Sequence, residues 1–183
     1  MRHLMKWVWI LLLTACGVPD YTDEDSGYRL VLHRAVTIPP QRARIYIQNG
    51  RVVGTSFDSY QVSCSLEVRT LSDRPQVVEP DTFVVNRVQA FFEEVAASGW
   101  RPAQVAGVGL AGADVDSGPS DLFRGWHFWL HSPRQPQVLR LTCRGVFAAP
   151  WEAEPPTFEE MAAALGPVAS LERATGTFAP GRF

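Results

Sequence analysis

The sequence predicts a mainly β protein with minor α content: an antiparallel β-sandwich or partly open barrel with a C-terminal amphipathic helix. Three observations predict this class. Alternating apolar and polar residues recur in separate short runs, an Asn-Gly pair joins two of these runs, and a helix-capping pattern follows the last one. The 183 residues, of which 46% are hydrophobic, suffice for one compact domain.

The charge balance argues against one class of function. The chain has 17 basic and 19 acidic residues, a net charge of −2, and contains no basic run. A nucleic-acid-binding surface of the usual kind is therefore not expected.

The first fifteen residues are typical of a bacterial export signal. Two basic residues precede the apolar run Trp7–Leu13, which is too short to span a membrane, since about 20 helical residues are needed. Small residues then precede Cys16, as in a lipobox. We expect removal of residues 1–15 and lipid on Cys16; an ordinary signal peptide with an incidental cysteine is the alternative.

Gly17 follows Cys16, whereas an Asp usually retains lipoproteins with this kind of start in the inner membrane. We therefore expect the periplasmic face of the outer membrane. Residues 16–26 are polar and predict a lipidated tether, and residues 27–183 predict a single β-rich domain. A Gly/Ala-rich loop is expected at about 99–120.

Short β-prone or alternating runs predict the strands, namely Tyr28–His33, an extended piece ended by Pro39-Pro40, Arg42–Gln48, Arg51–Val53, Tyr60–Thr70, Asp81–Val88, Leu122–His131 and Val138–Val146. Asn49-Gly50 is a strong hairpin signal between the third and fourth runs. In the run that begins at Tyr60, we expect one face in the core and the other, with Ser63, Ser65 and Glu67, in solvent.

Two cysteines remain once Cys16 carries lipid. Cys64 and Cys143 lie on the apolar sides of their predicted strands, and an oxidising compartment favours their pairing as a core disulfide. The chain has no Cys-x-x-Cys pair, which argues against a thiol-exchange enzyme.

Two short helices are expected. Apolar residues recur at helical spacing at Val88, Phe91, Phe92 and Val95, although the same run could extend the preceding strand. Near the C-terminus, Thr157 and Glu160 form a capping box and Gly166-Pro167 ends the helix. Its apolar stripe comprises Phe158, Met161, Ala162 and Leu165.

No motif nominates a catalytic residue, a metal site or a cofactor. The segment Gly107–Gly112 matches the GxGxxG pattern but lacks a βαβ context. Asp114 and Asp116 are expected in a solvated turn because the remainder of a calcium loop is missing. His127 and His131 lie about 13 Å apart on a strand, too far to share a metal ion.

A contact surface is the remaining candidate. Trp129 is expected to be exposed between His127 and His131, although packing beneath the loop after residue 99 would also explain it. A second candidate is a cationic patch on the outer strand faces formed by Arg42, Arg44, Arg140 and Arg144. Edge protection and solubility are the alternative explanation for these arginines.

Several motifs together resemble a known family. They are Ala43-Arg44 and Gln48-Asn49-Gly50 ahead of Tyr60 and Cys64, Glu67–Ser72, Pro80-Asp81-x-Phe83, Leu130–Ser132, Gln135-Pro136, Leu141–Gly145 and Pro156-Thr157-x-Glu159-Glu160. Over residues 28–172 the chain resembles a family of uncharacterised gammaproteobacterial lipoproteins. The resemblance implies a lipoprotein and assigns no activity.

These observations predict a non-enzymatic, periplasm-facing lipoprotein with a structural or protein-interaction role in the cell envelope. The expected partners are the membrane, through lipidated Cys16, and an envelope protein or an anionic polymer. The alternative is a binding module for an anionic envelope ligand, lipopolysaccharide or peptidoglycan.

Overall fold

The computed structural model describes residues 26–54, 56–94 and 121–173. Strands make up 52% of these residues and a helix 7%, so the predicted mainly β class is confirmed. The strands of this part of the chain are β1 (Tyr28–Leu32), β2 (Val36–Ile38), β3 (Arg44–Gln48), β4 (Arg51–Gly54), β5 (Ser63–Val68), β6 (Gln76–Val78), β7 (Asp81–Glu94), β8 (Leu122–His131), β9 (Val138–Arg144) and β10 (Ala169–Arg173), and the helix is α1 (Phe158–Leu165).

Eight strands form one antiparallel sheet in the order β10-β1-β7-β8-β9-β5-β3-β4, which curls into a half-barrel. A separate antiparallel pair, β2 and β6, contributes Val36, Ile38 and Val78 to the same core. The sequence pattern does not reveal β6 or β10, because segments this short carry too few alternating residues.

The hairpin predicted at Asn49-Gly50 is confirmed and joins β3 to β4. Asn49 and Gly50 have positive φ angles of 51° and 71°, as a type I′ turn requires at both central positions. A Cβ at Gly50 would also come within 2.8 Å of the Pro167 ring. Glycine is therefore needed here both for the backbone and for the close approach of the segment after α1.

The short helix expected from Val88 onward is wrong, because β7 continues as a strand beyond this position. A bulge between Val85 and Arg87 exchanges the two faces of β7. Val85 is buried before the bulge, and Val88 packs against the same core after it. Phe91 lies on the opposite face and Phe92 is exposed. Because β7 carries apolar residues on both of its faces, their spacing in the sequence resembles that of an amphipathic helix.

The predicted C-terminal helix is confirmed as α1, and it packs on the apolar face of the sheet against β3, β5 and β10. The Thr157 hydroxyl accepts from the Glu160 N–H, and the Glu160 carboxylate accepts from the Thr157 N–H at 2.7 Å. The buried stripe comprises Met161, Ala164 and Leu165. Phe158 and Ala162, expected in this stripe, are exposed. Gly166 ends the helix with a positive φ of 49°.

The core is centred on the pairing of β5 with β9. Cys64 lies directly opposite Cys143 in the register, the two form a disulfide, and both are fully buried. The predicted core disulfide is therefore present. Phe83, Leu141 and Leu165 are fully buried in the same core, where each such side chain contributes about 1.5–3 kcal/mol.

We expect the disulfide to be a major contribution to stability. Replacing Cys64 and Cys143 together with alanine should lower the free energy of unfolding by about 4–5 kcal/mol in the chain-entropy model, because the bond joins residues 79 positions apart. Urea unfolding measures this difference. Reduced wild-type protein should match the variant, and a variant as stable as the oxidised wild type would contradict the expectation.

Candidate functional site

The eight-stranded sheet carries polar and aromatic side chains on the face opposite α1, and we call this the polar face. It is built from cross-strand rows that run from β7 through β8 and β9 to β5 and β3. The first row is Arg87, Trp129, Arg140, Glu67 and Arg44; the second is Gln89, His127, Thr142, Ser65 and Tyr46; the third is Phe91, Gly125, Arg144 and Ser63.

The expectation that this face of β5 lies in solvent is wrong. Ser63 and Ser65 are fully buried, and Glu67 is 4% exposed. Residue alternation identifies which side chains share a face, but not what packs over that face. Because β5 and β9 lie inside the sheet, their small polar residues are covered by the long side chains of neighbouring strands.

Arg144 is also buried, at 4% exposure, so its predicted position on a solvent-facing patch is wrong. Its guanidinium donates two hydrogen bonds to one carboxylate oxygen of Glu93, at 2.9 and 3.1 Å. The same group lies over the rings of Tyr46 and Phe91, 5.7 and 5.8 Å from their centres. Arg144 therefore connects β9 to β7 and β3 within the protein.

Glu67 joins three neighbouring side chains of the polar face. It accepts hydrogen bonds from Arg140 Nε at 2.9 Å and from the Thr142 hydroxyl at 3.1 Å. Arg44 on β3 lies farther away, at 3.9 Å, with its side chain 41% exposed. Arg140 is consequently engaged in an internal ion pair, and of the two arginines Arg44 has the weaker contact.

Trp129 is half-buried rather than exposed as predicted. Arg87 lies 4.4 Å and Arg140 5.2 Å from the centre of its indole ring. Contacts of this kind contribute about 0.5–1 kcal/mol at partly exposed positions. The indole N–H donates to Gln89 at 3.3 Å. The register places Arg87 and Arg140 on opposite sides of Trp129, so the indole ring packs between two arginines within the first row of the polar face.

His127 lies half-buried in the second row, and its ring stacks on Phe91 with 4.2 Å between ring centres. Gly125 makes this possible, because a Cβ there would overlap the Phe91 ring and the Cys143 carbonyl oxygen. The Nδ1 atom lies 2.9 Å from the Thr142 hydroxyl oxygen. Since that hydroxyl gives its single proton to Glu67, Nδ1 is the donor, which leaves Nε2 as the basic nitrogen.

The surroundings of His127 favour its neutral form. Burial, followed by the positive charge of Arg140, lowers the pKa of His127 to about 4. A neutral imidazole with a fixed tautomer can accept a proton or bind a metal through Nε2. His131, the other predicted histidine, lies four residues farther along β8 and is exposed. Across the described residues, no group of three or more potential metal ligands was found.

A second polar network lies at the start of β7. Asp81, 7% exposed, accepts hydrogen bonds from Ser132 at 2.7 Å, from Gln135 at 3.2 Å and from Arg134. Burial alone would raise the pKa of Asp81, but these hydrogen bonds outweigh it and hold that pKa well below its usual value. Gln135 also bonds both backbone groups of Glu79 at 2.9 Å. The network fastens the β8–β9 turn to the β6–β7 turn.

Asp81, Ser132 and Gln135, which lie in three separate motifs of the sequence, therefore meet in space. These residues, like Glu67 and Thr142, are not predicted as a site from the sequence. The pairing of the strands, and not the spacing of these residues in the chain, brings them together.

An apolar cleft of about 270 Å³ lies between α1 and the strands β1, β7 and β8. Its walls include Tyr28, Trp126, Phe128 and Phe158. The Trp126 indole N–H is bonded to the Pro156 carbonyl oxygen at 3.1 Å. The cleft is therefore a mainly apolar opening at the edge of the core.

Several predicted features lie outside the described residues. They are the signal segment, Cys16, Val95, the loop at 99–120, Gly107–Gly112, Asp114 and Asp116. Within the described ranges, α1 is too short to cross a membrane. Comparisons with protein-family models, curated proteins and solved structures found no match for this chain.

We expect His127 to make the folded protein less stable in mild acid. Between the ordinary histidine pKa of 6.5 and about 4, the unfolded chain binds a proton that folded His127 excludes. The free energy of unfolding should therefore fall as the pH drops through this range. Urea unfolding of the wild type and His127→Gln at pH 7 and pH 4.5 measures the difference.

The variant should lose part of this pH dependence. His131→Gln is the matched control, because it makes the same substitution at an exposed position of the same strand. Equal pH dependence in the wild type and His127→Gln would rule out His127 as its source.

Proposed function

We propose that this protein is an outer-membrane lipoprotein, anchored by lipid on Cys16 and facing the periplasm. In this proposal, its β domain has a structural or protein-interaction role in the cell envelope and no catalytic activity.

The buried Cys64–Cys143 disulfide is the observation that carries the proposal. Disulfides persist in oxidising compartments such as the periplasm and are rare in the cytosol. With Cys64 and Cys143 paired, Cys16 is the remaining cysteine of the sequence, and it directly follows the predicted signal. An exported chain with one unpaired cysteine at its lipobox is what a lipid-anchored domain requires.

The polar face supports a structural role. The ion pairs of Arg140 with Glu67 and of Arg144 with Glu93 connect side chains of β5, β9 and β7. These groups bind one another, so the buried charges of Glu67 and Arg144 are each paired within the protein. An interaction role is supported by the large exposed aromatic residues Tyr60, Phe92 and Trp151, each at least 70% exposed.

Replacement of Cys16 tests the anchor. Wild-type full chain expressed in a Gram-negative bacterium should begin at Cys16, carry diacylglyceryl and acyl groups by mass spectrometry, and fractionate with the outer membrane. Cys16→Ala should lose the lipid and leave that fraction. Cys64→Ser/Cys143→Ser is the control, because it removes two cysteines yet should retain the lipid. A wild-type chain with an uncleaved start would overturn the proposal.

A second candidate function is the binding of an anionic envelope ligand. Arg42 and Arg44 line a shallow pocket with Tyr46 at the start of β3. Arg44 lies 3.9 Å from Glu67, a carboxylate already paired more closely with Arg140. Arg42 is exposed. Guanidinium groups in this arrangement can bind phosphate or carboxylate through paired hydrogen bonds.

Charge reversal tests this candidate. Arg42→Glu/Arg44→Glu should weaken co-sedimentation with lipopolysaccharide or peptidoglycan by about tenfold or more, since a hydrogen bond to a charged group contributes about 1.5–3 kcal/mol. Arg29→Glu/Arg51→Glu carries the same charge change at exposed positions elsewhere and should retain binding. Equal loss in both variants would indicate a general charge effect and discard the site.

A further inference from the structure

The exposed aromatic residues are concentrated at one end of the large sheet. This end, which we call the Trp151 end, is where β3, β7 and β9 finish and β5 and β8 begin. Among the described residues, the three most exposed large hydrophobic side chains are Trp151 at 73%, Tyr60 at 71% and Phe92 at 70%. Val146, 39% exposed, directly follows β9 at the same end.

Backbone contacts fix Tyr60 and Trp151 at this end. The Phe147 N–H donates to the Ser59 carbonyl, which places the segment before β5 beside the segment after β9. Ala148 forms a bridge with Leu122, the first residue of β8. Trp151 follows in the next turn. The side chains therefore project from turns fastened to the sheet.

The start of the domain is directed toward the same end. Tyr28 pairs with Val85, and β1 runs from there toward Asp81, away from the Trp151 end. The N-terminal end of β1 is therefore the end that faces the Trp151 end along β7. Glu94, the last residue of β7, follows Val85 by nine positions, so the two residues lie about 30 Å apart along the strand.

The tether is barely longer than this path. Cys16 precedes Ser26 by ten positions, and a chain of that length reaches at most about 35 Å. With lipid on Cys16, a bilayer that faces the Trp151 end therefore lies at most about 5 Å beyond that end. Exposed Trp and Tyr are the side chains that favour the membrane interface, because their rings combine apolar area with a polar group.

We propose that the Trp151 end is a membrane-contacting surface that inserts Trp151 and Tyr60 into the interface of the bilayer that holds the lipid anchor. This inference rests on the proposed lipidation of Cys16. The charged residues near this end include six acidic and four basic side chains, namely Asp58, Glu93, Glu94, Asp121, Glu152 and Glu154 against Arg34, Arg51, Arg124 and Arg144. The membrane surface that the Trp151 end contacts therefore has zwitterionic headgroups, since anionic headgroups would repel this excess of carboxylates.

Tryptophan quenching in vesicles tests the contact. Full-length lipidated protein, with its lipid verified by mass, is reconstituted into phosphatidylcholine vesicles with or without brominated acyl chains. Bromine should quench part of the tryptophan fluorescence, and Trp151→Phe should remove most of that quenching. Replacing one third of the lipid with phosphatidylglycerol should reduce quenching, and an increase would overturn the assignment to zwitterionic headgroups.

Moving the fluorophore provides the control. Leu71 is 62% exposed and follows β5 at the opposite end of the sheet. Leu71→Trp in the Trp151→Phe background should add fluorescence without adding bromine-dependent quenching. Lipidated protein that shows equal quenching with the tryptophan at either end, or no quenching, overturns the membrane contact and leaves the anchor standing. A chain without lipid on Cys16 overturns both.

Discussion

The register between β5 and β9 is the constraint on which both faces of the sheet depend. With Cys64 opposite Cys143 on the apolar side, Ser65 must face Thr142 on the other side. Glu67 and Arg140 then meet as an ion pair. A slip of one residue would exchange the faces and place charged side chains in the core. The disulfide and the polar face are therefore two consequences of one pairing.

The sequence was sufficient for elements whose signals are local. The turn at Asn49-Gly50 follows from residue identity, because both positions adopt positive φ at low cost. The cap at Thr157 follows from the spacing of two polar side chains. Likewise, alternation placed Cys64 and Cys143 on the apolar side of their strands. In each case the physical cause lies within a few residues of the signal.

Other features depend on partners that are distant in the sequence. The bulge before Arg87 is defined by the register with β8, and it returns Val88 to the core face that Val85 occupies while Phe91 lies on the other face. Alternation predicts that Arg144 faces solvent, yet Arg144 is buried and binds the half-exposed Glu93 of β7. Most of the polar face is of this kind, so its individual strands were predictable and its contacts were not.

The position of β1 has a mechanical consequence. This strand pairs with β10 on one side and with β7 on the other, over five residues in each case. A force applied to Tyr28 along the axis of β1 would load both ladders of hydrogen bonds in shear rather than open them one by one. Resistance to such a force would be governed by the rate of unfolding and not by equilibrium stability. Along this one direction, the two ladders of β1 would resist together.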